Sequence, residues 1–186
     1  MSNFSFLQPE WPEIAAAAAQ AERYVHADPR SACFYARRAL EQAVAWLYDH
    51  DPAFRRPYDD HLITLLADAS FREDVPSPIQ DKAHFIRKQG NLAVHTDRPI
   101  APRDSFAAVK ELYHLLFWLA RTYTRLDPQA IPSRFDESLL PPSELDLKQQ
   151  TAAQLHAQDE ALKAKDAELR HNAQALEDYS LQVAAL

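Results

Sequence analysis

The residues with the greatest capacity for chemistry form two pairs with helical spacing. Arg37 and Glu41 are four residues apart, and so are Asn91 and His95. Residues four apart lie on one face of a helix, and Gly90, beside the second pair, lets another segment approach closely. We therefore expect the two pairs to face each other across two packed helices as one polar cluster.

Two interpretations of this polar cluster of Arg37, Glu41, Asn91 and His95 are open. In the first, His95 is a general acid or base that Asn91 or Glu41 orients. In the second, the four side chains satisfy one another's hydrogen bonds when buried and fix the register of the helices. We favour the second, because neither a nucleophile nor a metal-ligand spacing accompanies the cluster. We predict no catalytic, cofactor-binding or metal-binding residue in this chain.

Other candidate ligands are scattered along the sequence. Most remaining histidines stand singly among polar neighbours, and the adjacent Asp60 and His61 would point apart on a helix, so we predict no zinc site. Three short basic pairs could bind nucleic acid: Arg37-Arg38, Arg55-Arg56 and Arg87-Lys88. In a chain with a formal net charge of -7, we interpret these pairs as solvated faces.

The composition limits both the fold and the chemistry. A single glycine among 186 residues excludes the glycine-rich loops that bind dinucleotides or nucleoside triphosphates. Thirteen prolines beside that one glycine favour helices that begin with proline over glycine-dependent hairpins. The lone Cys33 excludes an internal disulfide, and its apolar neighbours indicate a residue of the core.

Apolar residues that recur at intervals of three and four predict an all-α fold. We expect an up-and-down bundle over residues 1–127. Its five helices are predicted at about Trp11 to Val25, Asp28 to Leu47, Asp59 to Ala69, Ile79 to Val94, and Pro102 or Asp104 to Arg125. Asp28 is the expected N-cap of the second helix, with Pro29 in its first turn.

The chain changes character after residue 127. Residues 128–142 are proline-rich and aperiodic, which predicts a linker or an extended strap along the bundle. Residues 143–186 predict one long, weakly heptad helix with apolar residues seven apart: Leu155, Leu162, Leu169, Leu176 and Val183. The companion heptad position is only partly apolar, holding Ala152, Asp159, Asp166, Ala173 and Ser180, so the alternatives are weak self-association or a helix that is solvated or docked on a partner.

The heptad pattern is still running at Leu186. We therefore expect the long helix to lead into a further region of a longer polypeptide. The longest strongly apolar run is Leu115 to Ala120, and no basic leader precedes an apolar stretch near the start. These features predict neither export nor membrane insertion, and we expect a cytoplasmic protein.

Five segments follow one another along the chain: Ser2-Asn3-Phe4-Ser5-Phe6-Leu7, the Arg37-x-x-x-Glu41 helix, the run Gly90-Asn91-Leu92-Ala93-Val94-His95, the aromatic helix around Leu115-Leu116-Phe117-Trp118-Leu119-Ala120, and the Ala/Gln/Glu/Leu-rich helix after it. In this order and spacing they resemble the N-terminal region of the restriction (R, HsdR) subunit of type I restriction-modification enzymes. The resemblance spans essentially the whole chain.

This resemblance implies an interaction or scaffold domain. The parent family is an ATP-dependent DNA translocase and site-specific deoxyribonuclease in defence against foreign DNA. Its nuclease and helicase parts lie further along the polypeptide, so ATP and Mg²⁺ are expected only there, and no cofactor is expected in this part. The implied partners are the modification and specificity subunits or downstream domains of the same chain, with DNA reached through the parent complex. A weak homo-oligomer through residues 143–186 is an alternative.

The helical region is also similar, more distantly, to the HEPN superfamily, whose active members are metal-independent RNases with an Arg-x(4–6)-His motif. When His95 and Asn91 are aligned with that histidine and with the polar residue after the arginine, Gly90 stands in the place of the arginine. Arg87 has the wrong spacing and Lys88 the wrong chemistry. We therefore interpret the polar cluster as a degenerate, structural descendant of such a site, with an RNase or toxin-like homodimer as the alternative function.

Overall fold

The computed structural model describes the backbone of residues 2–184 and the side chains of residues 2–143 and 145–174. Within this part the protein is all-α and contains no strand, as the sequence predicts. The helices are α1 (Pro12–Tyr24), α2 (Pro29–His50), α3 (Leu62–Ala67), α4 (Ala69–Asp74), α5 (Ser77–His95), α6 (Pro102–Tyr123) and α7 (Glu144–Ala184). One compact unit runs up to Pro141, and a second begins at Pro142 and contains α7.

Local sequence explains where the long helices begin. Asp28 is the N-cap of α2, and its carboxylate accepts hydrogen bonds from the backbone N–H groups of Arg30 and Ser31, each at 3.1 Å. The hydrogen bond from the Ser31 hydroxyl, together with these backbone bonds, lowers the pKa of Asp28. Proline occupies the first turn of α1, α2, α5 and α6, where its missing N–H leaves no helical acceptor unpaired. These starts agree with the predicted ones to within about two residues.

Helix α2 lies at the centre of the bundle and packs against α1, α5 and α6. Its inward face carries small residues that are almost fully buried: Ala32, Ala36, Ala39 and Ala43. Small side chains let the helix axes approach closely, while large residues of α6, such as Tyr113 and Leu116, fill the remaining core. The predicted helical bundle is confirmed.

The third predicted helix is two helices in the structure. Asp68 ends α3 and is also the N-cap of α4, where its carboxylate accepts a 2.9 Å hydrogen bond from the backbone N–H of Ser70. Asp68 has an extended backbone (φ -61°, ψ 147°), so the helix cannot continue through it. An aspartate side chain that competes for the backbone N–H two residues later favours a cap over a helix interior.

Residues 128–141, here called the strap, belong to the first compact unit. The buried Tyr113 hydroxyl donates to the backbone carbonyls of Pro132 and Arg134, the latter at 3.0 Å. The Phe135 ring packs edge-on against Tyr113 at 5.5 Å. The structure therefore places the compact boundary at Pro141, later than the sequence boundary at 127, because the strap supplies acceptors and aromatic contacts that the bundle uses.

The second unit is a single long helix within the described residues. Its leucine row, defined as Leu155, Leu162 and Leu169, is exposed by 61%, 65% and 65%. The predicted heptad members Leu176 and Val183 have side chains outside the described residues, as does the predicted continuation at Leu186. Among the described helices, none has the length and apolar character needed to cross a membrane.

Candidate functional site

The polar cluster is organised around a close approach between α2 and α5. Gly90 of α5 is buried against the side chain of Arg37. A Cβ atom at position 90 would lie 2.7 Å from Arg37 Cδ and 3.0 Å from Arg37 Cγ, and closer still to Arg37 Cβ. Only glycine leaves room for this side chain. Gly90 therefore lets a neighbouring helix approach closely, as the sequence predicts.

Three of the four cluster residues meet. The Arg37 guanidinium donates through Nε to Glu41 Oε1 at 2.8 Å and through Nη1 to Asn91 Oδ1. The Arg37 side chain is 23% exposed and that of Glu41 is 43% exposed. The arrangement joins the two helices through charge-assisted hydrogen bonds. It lies at the edge of the bundle and not in its core, so the expected burial is only partial.

His95 does not join these three residues. It is the last residue of α5 and is exposed, and no hydrogen bond or ion pair connects its side chain to any described residue. His95 lines a surface cavity on the α2 side, together with Phe34, Arg37 and Arg38. Helical spacing places it on the Asn91 face, but the Arg37 guanidinium is already held by Glu41 and Asn91. The expected four-membered hydrogen-bonded cluster is therefore a three-membered one.

The end of α5 is held by an arginine outside the predicted polar cluster. Arg30, in the first turn of α2, donates through Nη1 to the backbone carbonyls of Ala93 at 2.5 Å and Thr96 at 2.6 Å, and through Nη2 to that of Arg98 at 2.9 Å. The last carbonyls of a helix lack intrahelical partners and carry negative partial charge. The scarcity of glycine is the sequence feature that points to such a role. Helices without the common glycine cap need other donors for their last carbonyl groups.

A second cavity is also lined by Arg37. It measures about 480 Å³, and three arginines, Arg37, Arg56 and Arg87, line it together with His61 and Asp60. We call it the arginine cavity. The acidic net charge of the chain favours solvated faces for Arg56 and Arg87, and their distance in sequence gives no sign that the bundle brings them together. The Nε atom of Arg87 is shielded from solvent and has no hydrogen-bond partner among the described residues.

Asp60 and His61 converge with Asp59, contrary to the expectation that the adjacent pair points apart. They lie before α3 and not on it, and their candidate ligand atoms fall within 4.8 Å of one another. All three are exposed. Asp59 accepts hydrogen bonds from His61 N at 3.0 Å and from the Thr64 hydroxyl at 2.8 Å, which lower its pKa. These bonds give Asp59 a role in starting α3.

Cys33 is fully buried in α2. Burial, with a smaller contribution from the negative charge of Asp104, raises the pKa of its thiol to about 12. A thiol with so high a pKa is protonated at neutral pH and is a poor nucleophile. Cys33 therefore fills the core, as its apolar neighbours indicate.

The fold and site together define a helical-bundle protein whose most distinctive polar contact joins two core helices. The chain belongs to the family described as "Domain of unknown function (DUF4145)", whose model matches residues 19–171. The match takes in α2 to α6 and all four residues of the polar cluster. No curated protein and no solved structure matches the chain.

Proposed function

We propose that this chain is a non-catalytic, cytoplasmic interaction domain at the N-terminus of a type I restriction R subunit. In this proposal the bundle is a rigid base, and α7 carries the surface that binds the modification and specificity subunits or downstream domains of the same polypeptide. DNA is reached through the parent complex. ATP and Mg²⁺ act only in the downstream parts.

The observation that carries the proposal is the exposed leucine row of α7. Three leucines at heptad spacing are each more than half exposed, and an apolar row of this kind gains free energy when a partner helix or groove covers it. The intervening heptad positions Asp159 and Asp166 are charged, which disfavours a strong symmetric coiled coil. Asp159 is paired with Lys163 at 2.7 Å along the same helix. A groove on another protein accommodates such a one-sided row better than a second copy does.

The polar cluster supports a structural role for the bundle. The Arg37 guanidinium donates to both Glu41 and Asn91, and Gly90 leaves the space that this contact needs. Hydrogen bonds that join side chains of two packed helices fix the register of those helices.

Co-purification tests the proposal. The chain and a variant with Leu155, Leu162 and Leu169 replaced by Glu are each mixed with the modification-and-specificity complex encoded beside the parent gene, and separately with the next segment of the parent polypeptide. The wild-type chain is expected to bind at least one of them, and the variant neither. Absence of binding to both, or equal binding by the variant, would overturn the proposal. Sedimentation of the chain alone measures weak self-association through residues 143–186.

A second candidate function is an RNase or toxin-like homodimer of the HEPN kind. The observation that favours it is that Arg37 fills the space above Gly90, where the motif lacks its arginine, and lines a surface cavity with His95 and Arg38. The pairing of Arg37 with Glu41 and Asn91 argues against it. Under the leading proposal the purified chain cleaves neither RNA nor DNA and hydrolyses no ATP. Metal-independent RNA cleavage that His95→Ala abolishes would establish the second function.

A further inference from the structure

The arginine cavity has donors that the fold leaves unused. The Arg87 side chain makes no hydrogen bond or ion pair within the described part of the chain, although its Nε atom is shielded from solvent. A buried donor without a partner is costly, and native structures rarely keep one without a reason such as a ligand or ordered water. Arg87 lines this cavity, and among the lining groups it is the strongest candidate to donate to a bound ligand.

The other two arginines are held in place without being saturated. Arg37 uses Nε and Nη1 for Glu41 and Asn91, which leaves Nη2 free of any described partner. Arg56 uses Nη2 for Asp49 at 2.8 Å and for the Ala45 carbonyl at 3.3 Å, which leaves Nε and Nη1. Because each guanidinium is anchored by its internal bonds, its remaining N–H groups are pre-oriented for a ligand.

The charge and shape of the cavity select the ligand. Three guanidinium groups face two carboxylates, Glu41 and Asp60, in a chain whose overall charge is negative, so the excess of positive charge is local. Guanidinium forks match phosphate and carboxylate oxygens in pairs. The lining also includes the apolar residues Leu62, Leu65 and the exposed Ile63, which suits a non-polar or planar moiety beside the anion.

We propose that the arginine cavity binds a small organic phosphate of nucleotide size, with its phosphate held by Arg87, Arg37 and Arg56. A volume of about 480 Å³ lies in the range of small-molecule sites, which is about 300–1,000 Å³. A nucleic-acid strand fits less well, since an extended polyanion needs a basic track and this cavity carries acidic residues within it. The site is distinct from the leucine row and does not depend on the function proposed for that row.

Isothermal titration calorimetry of the full chain tests this proposal. The probes are pyrophosphate, ADP, adenosine and a 5′-phosphorylated 20-nucleotide RNA. We expect ADP to bind, pyrophosphate to bind more weakly, and adenosine, which lacks the phosphate, to bind at least tenfold more weakly than ADP. Raising the salt concentration should weaken ADP binding, because the contact is between charges.

Two variants identify the residue responsible. Arg87→Met keeps an unbranched side chain but removes every donor, and we expect it to weaken ADP binding at least tenfold. Lys88→Met removes the same charge from an exposed neighbour that does not line the cavity, and it should bind ADP as the wild type does. Without ligand, Arg87→Met should melt at the same temperature as the wild type or higher, since it removes an unpaired buried donor.

Three outcomes of the titrations would overturn the proposal. The first is that neither ADP nor pyrophosphate binds, the second is that Arg87→Met and Lys88→Met bind ADP equally well, and the third is that adenosine binds as tightly as ADP. RNA that binds more tightly than ADP, and loses affinity in Arg87→Met, would assign the cavity to a nucleic-acid strand instead. If Arg87→Met lowers the melting temperature by several degrees, Arg87 is a structural residue and the assignment fails.

Discussion

The side chain of Arg37 occupies the space that any side chain at position 90 would need. A Cβ atom on Gly90 would lie 2.7 Å from Arg37 Cδ. The same arginine bonds Glu41 on its own helix and Asn91 next to the glycine. Arg37 therefore sets both the separation between α2 and α5 and the register of the two helices.

Gly90→Ala is expected to destabilise the bundle, although alanine normally favours a helix over glycine by about 1 kcal/mol. The clash involves Arg37 Cβ as well as the flexible end of that side chain, so a rotamer change cannot relieve it and the helices must separate. Overpacking of this kind costs about 1–3 kcal/mol. Urea unfolding should give a net loss of up to about 2 kcal/mol for Gly90→Ala. Lys88→Ala, at an exposed position of the same helix, is the control, and a Gly90→Ala variant as stable as this control would contradict the close contact.

Asn91→Ala should lower stability by about 0.5–1.5 kcal/mol, because it strands one N–H of the Arg37 guanidinium. The partial exposure of Arg37 and Glu41 lets water replace part of the lost bond, which keeps the cost below that of a buried site. Since Glu41 and Asn91 share one guanidinium, Glu41→Ala and Asn91→Ala should be non-additive in the double variant. His95→Ala is the internal comparison and should change the melting temperature little. Additive losses, or a large effect at His95, would contradict the three-membered arrangement.

The sequence predicts the long helices well, because their start signals and apolar stripes agree. Asp28 with Pro29 marks one start, and the spacing of Arg37 with Glu41 and of Asn91 with His95 correctly pairs α2 with α5. The sequence does not predict which residue of the polar cluster lacks a hydrogen bond to the other three. His95 has the right spacing, but the guanidinium can satisfy only the acceptors within its reach, and that depends on three-dimensional positions.

Truncation after Pro141 should leave a folded bundle, whereas truncation after Leu126 should not preserve full stability. The strap accepts the hydrogen bond of the buried Tyr113 hydroxyl, and Asp136 pairs its backbone with Asn3 through two hydrogen bonds of 2.7 and 2.9 Å. Each buried group left without a partner costs about 1–3 kcal/mol. Thermal unfolding of residues 1–126 and 1–141 measures the difference, with Tyr113→Phe in the longer piece reporting the hydroxyl alone. Equal melting temperatures would show that the strap adds nothing to the bundle.

The strap illustrates what periodicity cannot reveal. Its prolines remove any helical pattern, so sequence alone leaves a linker and a packed segment equally open. The acceptors that hold it are backbone carbonyls, which every residue has, and the donors are Tyr113 and Asn3. The arginine cavity escapes prediction for a similar reason, since Arg37, Arg56 and Arg87 come from three separate segments of the chain.

Stability should depend on pH through the N-cap of α2. The pKa of Asp28 is lowered in the folded protein, mainly by the Ser31 hydroxyl, so the folded state favours the ionised carboxylate. Its contribution is therefore present above the unfolded pKa, about 3.9, and is lost as the pH falls through the lower folded value. Asp28→Ala should cost about 0.5–2 kcal/mol at pH 7 and progressively less below pH 4.

Denaturant unfolding of wild type and Asp28→Ala across this pH range measures the effect. Asp97→Ala removes the same charge from an exposed position outside any helix and should change the stability little at any pH. A difference between wild type and Asp28→Ala that stayed constant down to pH 2 would show that the ionised carboxylate does not carry the cap.

The affinity of the chain for the modification-and-specificity complex tests the proposed interaction function most directly. Leu162→Glu places a charge in the leucine row, whereas Ala164→Glu adds the same charge at an exposed position two residues on, on a different face of α7. Fluorescence anisotropy with each labelled chain gives the two dissociation constants and that of the wild type. We expect Leu162→Glu to weaken binding at least tenfold and Ala164→Glu to leave it within about twofold. Equal effects of the two substitutions, or a wild-type chain that does not bind this complex, would contradict the assignment of that partner to the leucine row.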